Sequence, residues 1–235
     1  MNYLINYADQ AFFQSRALNS ISGIQAGFDS VIQYQKKDMS SDFLSENKEI
    51  LSKRRGAGYW LWKPYFILKT LARVDEGDVV FYSDAGARFC NHVAPILDAI
   101  HQDKNGLFGF CMSGGHKERC YARKKVIEHV IGSLDGTEET EQRMASFIVA
   151  KKSPKAMRIL ETWFNYCKIP ELILDFEIRD DDEFPDFVDH RHDQALWSLT
   201  SKKLNVTMLP DPTQYGYQET GNQGNYFLDH HRNKK

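Results

Sequence analysis

Long apolar runs are missing from this chain. No window of its 235 residues approaches the roughly 18 consecutive apolar positions that a membrane-spanning helix needs. Cysteine is scarce: Cys90, Cys111, Cys120 and Cys167 are scattered without a CxxC pair. That leaves no zinc pattern and no disulfide framework, and points to reduced thiols in a cytoplasmic protein. Basic excess is absent too. A net charge of −2 argues against a general nucleic-acid binder, so no nucleic acid is expected as a partner. The opening MNYLINYADQ has neither the positive segment nor the apolar stretch of a signal peptide. Internal repeats, low-complexity tracts and interdomain linkers are lacking, and Gly114-Gly115 is too sparse for a phosphate loop. The length suits one α/β domain over residues 1–235, with a loop-like tail from about residue 210.

What the chain does contain is an alternation of short apolar runs and helical periodicities. Tyr3–Tyr7, Asp29–Tyr34, Val79–Tyr82, Gly106–Met112, Ala145–Ala150 and Val206–Leu209 read as strands. Between them, Phe12, Phe13, Arg16, Ala17, Ile21 and Ile24 recur with helical spacing, and Pro64–Arg73, Val93–His101, Glu118–Ile131, Lys155–Cys167 and Asp193–Lys203 also read as helices. Residues 36–53 read as polar and helical with a loop near Met39 to Asp42, and Asp180-Asp181-Asp182-Glu183 as a solvated loop. Such alternation predicts an α/β fold with a mixed, mainly parallel sheet flanked by helices.

The rest of the chain is organised around Arg54–Phe89. Val79-Val80-Phe81-Tyr82 follows a Glu76-Gly77 turn and ends in Ser83-Asp84-Ala85-Gly86, which is the pattern of a strand buried on both faces. Open α/β sheets bind ligands beyond the carboxyl ends of such strands, where Asp84 stands. Upstream lie a basic, glycine-containing loop (Arg54, Arg55, Gly56, Gly58), the aromatics Tyr59, Trp60 and Trp62, and Lys63-Pro64, with Pro64 expected at the first position of a helix.

Taken together, GYWLWKP…FYSDAG and the later RHDQALWSL resemble nucleotide-sugar-dependent glycosyltransferases of the GT-A fold, in particular a small bacterial or viral type. The resemblance runs from Tyr7 to His231. It implies a Rossmann-like sheet and a sugar moved from a nucleoside diphosphate donor, UDP by family analogy, to a glycan or lipid-linked acceptor, with peripheral membrane contact for the latter. Carried over by position, it implies that Tyr7 and Asp9 meet the nucleotide, and that Arg54, Arg55 or Lys63 meets the diphosphate or donor sugar. Asp84 matches the first Asp of an Asp-x-Asp element and would hold ribose and a metal that the tail His231 completes. Asp193 and Gln194 match a catalytic segment near the reacting carbon. The second Asp of that element is Gly86 here, so either the metal has fewer protein ligands or the enzyme does without one.

Physical chemistry supplies the reason for such a set. Charge grows on the diphosphate as the glycosyl bond breaks, and a divalent cation or basic pair must take it up. Mg²⁺ or Mn²⁺ suits oxygen ligands, and an imidazole ligand favours Mn²⁺. Bland roles exist for each residue. Asp84 could cap a turn, Asp193 could be a first-turn acid, Arg54 and Arg55 could be a solvated pair, and Trp60 or Trp62 could be a core anchor. Two other classes compete: a nucleotidyltransferase on a related sheet, and a non-catalytic nucleotide- or glycan-binding module.

Overall fold

The structure is a computed structural model and describes residues 1–176, 182–220 and 226–231. Eight strands are present among them: β1 (Asn2–Tyr7), β2 (Ser30–Tyr34), β3 (Val79–Ser83), β4 (Ala87–Phe89), β5 (Leu107–Cys111), β6 (Arg143–Lys151), β7 (Thr207–Leu209) and β8 (Leu228–His230). The main helices are α1 (Phe13–Gln25), α2 (Trp62–Leu71), α3 (Ala94–Gln102), α4 (Lys124–Ile131), α5 (Pro154–Cys167) and α6 (His192–Lys203). Six strands form one sheet in the order β2-β1-β3-β6-β5-β7, and β4 pairs with β8 in a second, two-stranded sheet. β1 runs parallel to β2 and β3, and β5 parallel to β7. β6 is antiparallel to both its neighbours, β3 and β5. The fold is therefore α/β with a mixed, mostly parallel sheet flanked by helices.

Side-chain alternation along the strands divides the core in two. Ile5, Val80, Tyr82 and Ile148 join a cluster with α2, α4, α5 and α6. Leu4, Val79, Phe81 and Val149 join another with Phe28, Ile96 and Ile100. All five residues of β3 are buried, as expected of a strand covered on both faces.

Several elements depart from the sequence reading. Helix α1 has the expected period and the opposite face: Phe13, Leu18, Ile21 and Ile24 are exposed, while Ser15, Asn19, Ser20, Ser22 and Gly23 are buried. Small and polar residues let α1 approach the sheet closely. A Cβ on Gly23 would stand 2.2 Å from Leu4 Cδ2. Asn19 Oδ1 accepts from Asn6 Nδ2 at 2.8 Å, and Asn19 Nδ2 donates to Ser83 Oγ and the Ala87 carbonyl, both at 2.9 Å. A buried amide that satisfies both of its ends replaces the expected apolar seam.

Residues 36–53 form three short pieces, Lys36–Asp38, Ser41–Glu46 and Lys48–Leu51; the first break, at Met39 and Ser40, falls where a loop is expected, and the second, at Asn47, is not foreseen. The expected helix Glu118–Ile131 is broken at Ala122 and Arg123, whose backbones are extended. Glu183 explains the break. It accepts from the Lys124 amide at 2.6 Å and from Arg123 Nε at 3.0 Å, so it caps α4 from outside and is itself buried rather than solvated. Asp180 and Asp181 of the same acidic run lie outside the described residues. Helix α2 begins at Trp62, so Pro64 is its third residue rather than its first; amides of the first turn have no intrahelical acceptor, and proline costs little there. The tail is not all loop, because it carries the helix Gln214–Thr220 and the strand β8.

Candidate active site

At the carboxyl end of β3 three charged side chains from distant parts of the chain converge. Lys63 Nζ lies 2.8 Å from Asp193 Oδ2 and 3.5 Å from Asp84 Oδ1. It also donates to the Ala145 carbonyl at 3.2 Å. Lys63 comes from the first turn of α2, Asp84 from the turn after β3, and Asp193 from the first turn of α6. The Lys63–Asp193 contact is close but poorly aligned as a hydrogen bond, and Asp193 Oδ2 has no aligned donor, so charge holds the pair. Asp84 Oδ1 accepts from the Tyr82 hydroxyl at 2.5 Å, and the Asp84 amide donates to the Ser146 carbonyl at 2.9 Å.

Burial separates the two carboxylates. The side chain of Asp193 is 5% exposed and that of Asp84 31%. Burial pushes the Asp193 carboxyl up to about 6, against the pull of Lys63, and the nearby Asp84 charge adds to the rise. Burial alone would lower Lys63, but the charges of Asp193 and then Asp84 outweigh it and keep its pKa above the ordinary value. Tyr82, fully buried beside Asp84, is held well above the usual tyrosine range, first by burial and then by that charge, so it works as a hydroxyl donor.

The backbone leading into this cluster is strained. Gly56, Ala57, Gly58, Tyr59 and Trp60 all have positive φ, and three of them are not glycine. Each such non-glycine residue costs about 1–2 kcal/mol. Gly58 is required, since a Cβ there would meet the Leu51 Cα at 2.9 Å. The turn is held by Trp62 Nε1, which donates to the Gly56 carbonyl at 2.9 Å, and by the Tyr59 hydroxyl, which donates to Asp175 at 2.7 Å. His192, at φ 43°, packs its ring 4.5 Å from that of Tyr59. Two strained segments thus lean on each other immediately before Lys63 and Asp193, and strain of this kind gathers at functional sites. His190 and His192 are neutral because burial lowers them to about 3 and about 4. Their ring nitrogens donate to the carbonyls of Leu172 and Ile173.

The other sequence candidates lie at various distances from this cluster. Gln194 lines a cleft of about 530 Å³ together with Met112, Ser146, Asp211, Tyr215 and His230. Tyr7 is buried, its ring stacked on Trp62 at 3.9 Å, and burial followed by the Asp9 charge raises it to about 12. Asp9 is exposed and caps the turn Gln10–Phe12 through the Ala11 amide. Arg54 is exposed. Arg55 is engaged by Asp175 and Asp189 rather than turned toward Asp84. The tail does return to the site: β8 pairs with β4, and the His231 amide donates to the Gly86 carbonyl at 3.1 Å, which runs the chain along the Asp84 turn. Among the described residues no three His, Cys, Asp or Glu side chains cluster tightly enough to hold a metal unaided.

Sequence reading missed Tyr82 as a donor to Asp84, and it missed the buried Glu118 and Gln142. Tyr82 was visible two residues before Asp84, on the same face of an alternating strand. The other two carry no local signal, because their partners come from elsewhere in the chain.

No protein-family model matches the sequence, and no curated protein matches it. Solved structures do. The apo form of mouse xyloside xylosyltransferase 1 is similar with a TM-score of 0.54 at 9% identity, over 98% of this chain and 97% of that one. The galactosyltransferase LgtC, in complex with donor and acceptor sugar analogues, is similar with a TM-score of 0.52 at 13% identity, over 98% of this chain and 86% of that one. At such identities the likeness is one of fold, and the fold is of the GT-A kind. Among the described residues no helix is long and apolar enough to cross a membrane.

Proposed function

We propose that this chain is a glycosyltransferase that moves a sugar from a nucleoside diphosphate donor, UDP by analogy, to a glycan or lipid-linked acceptor. The observation that carries the reading is the Asp84–Lys63–Asp193 cluster at the carboxyl end of the central strand, beside a cleft that Gln194 lines. In the transfer, the bond from the anomeric carbon to the diphosphate oxygen breaks. A bond from the acceptor hydroxyl oxygen to that carbon forms, and the hydroxyl proton leaves to a base, which in a retaining reaction is the departing diphosphate.

The geometry favours separate roles for the residues. Asp84, the exposed member of the carboxylate pair, would hold Mn²⁺ or Mg²⁺ with His231, and the metal would neutralise diphosphate charge. Lys63 is buried behind Asp84, so it acts on the site's potential and fixes both carboxylates instead of reaching out to phosphate. Gln194 faces the cleft and is the better placed of the catalytic pair to meet the donor sugar, which supports a retaining outcome with its side chain stabilising an oxocarbenium-like centre. Asp193 stays closed off against Lys63 and secures that cation.

Release of nucleoside diphosphate from a panel of UDP-, GDP- and CDP-sugars tests the reading. One donor class should be turned over with Mn²⁺ present, faster when an acceptor glycan is added. No release from any donor, with or without acceptor, contradicts it.

A further inference from the structure

Behind Gln194 runs a buried line of side-chain hydrogen bonds that the cluster at Lys63 does not use. Gln194 Nε2 donates to Gln142 Oε1 at 3.1 Å and sits 3.7 Å from Met112 Sδ. Gln142 Nε2 donates to Glu118 Oε2 at 3.1 Å. Glu118 Oε1 accepts from Lys202 Nζ at 2.6 Å and from the Ser198 hydroxyl. Lys202 is spent on Glu118, Thr140 Oγ1 at 2.7 Å and the Glu141 carbonyl at 2.8 Å. Glu118 is fully buried and Gln142 is 1% exposed.

The donors and acceptors along this line admit one orientation. The Lys202 ammonium and the Ser198 hydroxyl, whose oxygen already accepts from the Arg143 amide, both donate to Glu118, so its carboxylate only accepts. Gln142 must therefore turn its Nε2 to Glu118, which leaves its Oε1 facing Gln194. Gln194 must answer with Nε2, whose other N–H is directed at Met112 Sδ. Among the described residues nothing donates to Gln194 Oε1, which stays open to the cleft.

We propose that Glu118 and Gln142 are positioning residues that fix the amide of Gln194 so that it presents its carbonyl oxygen, not its NH₂, to the occupant of the cleft. Gln194 then recognises a hydroxyl hydrogen or an electron-poor carbon and rejects an acceptor group. A carboxylate buried well behind the cleft thus sets the polarity of a group that lines it. The kinetic consequence rests on the glycosyltransferase reading; the orientation does not.

Isosteric changes test this sharply. In Glu118→Gln, Lys202 and Ser198 still donate to one atom, so the new amide must place its oxygen there and its NH₂ toward Gln142. Gln142 then flips, Gln194 flips in turn, and NH₂ faces the cleft. Adding Gln142→Glu restores the original sense, because the new carboxylate accepts from both sides. The readout that needs no substrate is hydrogen exchange of the Gln194 side-chain amide by ¹⁵N NMR, its resonance identified by loss in Gln194→Ala. Exchange should be slow in wild type, at least ~10-fold faster in Glu118→Gln, and slow again in the double variant. With a donor that wild type turns over, kcat should fall ~10²-fold in Glu118→Gln, with KM within about threefold, and recover in the double variant.

If Glu118→Gln does not fold, Gln142→Met cuts the line at its middle and should also speed Gln194 exchange. Equal exchange in wild type and in a folded variant overturns the proposal. So does a double variant that behaves like the single one. Wild-type protein that turns over no nucleotide sugar brings down the proposed function instead, and the exchange measurement still decides the orientation.

Discussion

Lys63 and Asp193 form a buried ion pair, 2.8 Å from Nζ to Oδ2, with both side chains 5% exposed or less. They come from the first turns of two different helices, and Asp84 approaches the same ammonium from the end of β3. Removing one member of a buried pair leaves an uncompensated charge, which is costlier than the pair itself is stabilising. Lys63→Met should therefore destabilise the fold by roughly 3–5 kcal/mol in denaturant unfolding, since two carboxylates would be left facing each other. A loss below about 1 kcal/mol would show that Lys63 is not the cation that holds them.

Asp84 is the more exposed carboxylate, so its loss should spare the fold. Asp84→Ala is expected to keep its melting temperature within a few degrees and to lower donor turnover by ~10²-fold or more. Turnover close to wild type would remove Asp84 from the site.

The raised pKa of Asp193 gives two pH effects of opposite sense. Its carboxylate secures Lys63, so turnover should fall as pH drops through about 6, and Asp193→Asn should abolish that limb. Stability runs the other way. The folded state binds this proton more tightly than the ordinary value of 3.8, so the contribution is fully present below that value and is lost as pH rises through about 6. A wild-type pH–rate profile that is flat between pH 5 and 7, or an Asp193→Asn profile that keeps the acid limb, would contradict the assignment.

Strand β3 and the position of Asp84 are legible in the sequence, because a four-residue apolar run between turn signals has few other readings. Helix α1 is legible only as a period. Which face packs was decided by Asn19, Ser20 and Gly23 meeting Asn6, Ser83 and Leu4, and periodicity carries no such information. The break at Ala122 was hidden because its cause, Glu183, lies far along the chain in what reads as a solvent-facing acidic run. Lys63, Asp84 and Asp193 could be singled out one by one; that one ammonium joins all three is a fact of tertiary structure. Arg55 looked available for phosphate because Asp175 and Asp189 are remote in sequence.

Strain in the left-handed turn is open to a direct check. Ala57 has φ 51° without glycine's freedom, so Ala57→Gly should stabilise by up to about 1 kcal/mol, and Gly58→Ala should destabilise by more than that. Guanidinium titrations of both variants measure it. Destabilisation by Ala57→Gly would mean that the alanine methyl packs usefully enough to offset its backbone cost.

The tail should matter through His231 as well as through β8. His231→Ala leaves the backbone pairing with Gly86 available and should weaken Mn²⁺-dependent nucleotide binding by ~10-fold, with little change in the absence of metal. Unchanged affinity in calorimetry would take the tail imidazole out of the metal site.

The most direct test of the proposed site is the melting temperature of the purified protein with UDP, GDP and CDP, each with and without Mn²⁺, repeated on Asp84→Ala. A ligand at about 100 times its dissociation constant adds about 2.7 kcal/mol of stability, which is readily seen as a shift. The site predicts a shift with one nucleotide that requires both Mn²⁺ and Asp84. No shift with any nucleotide, or the same shift in Asp84→Ala, would contradict it.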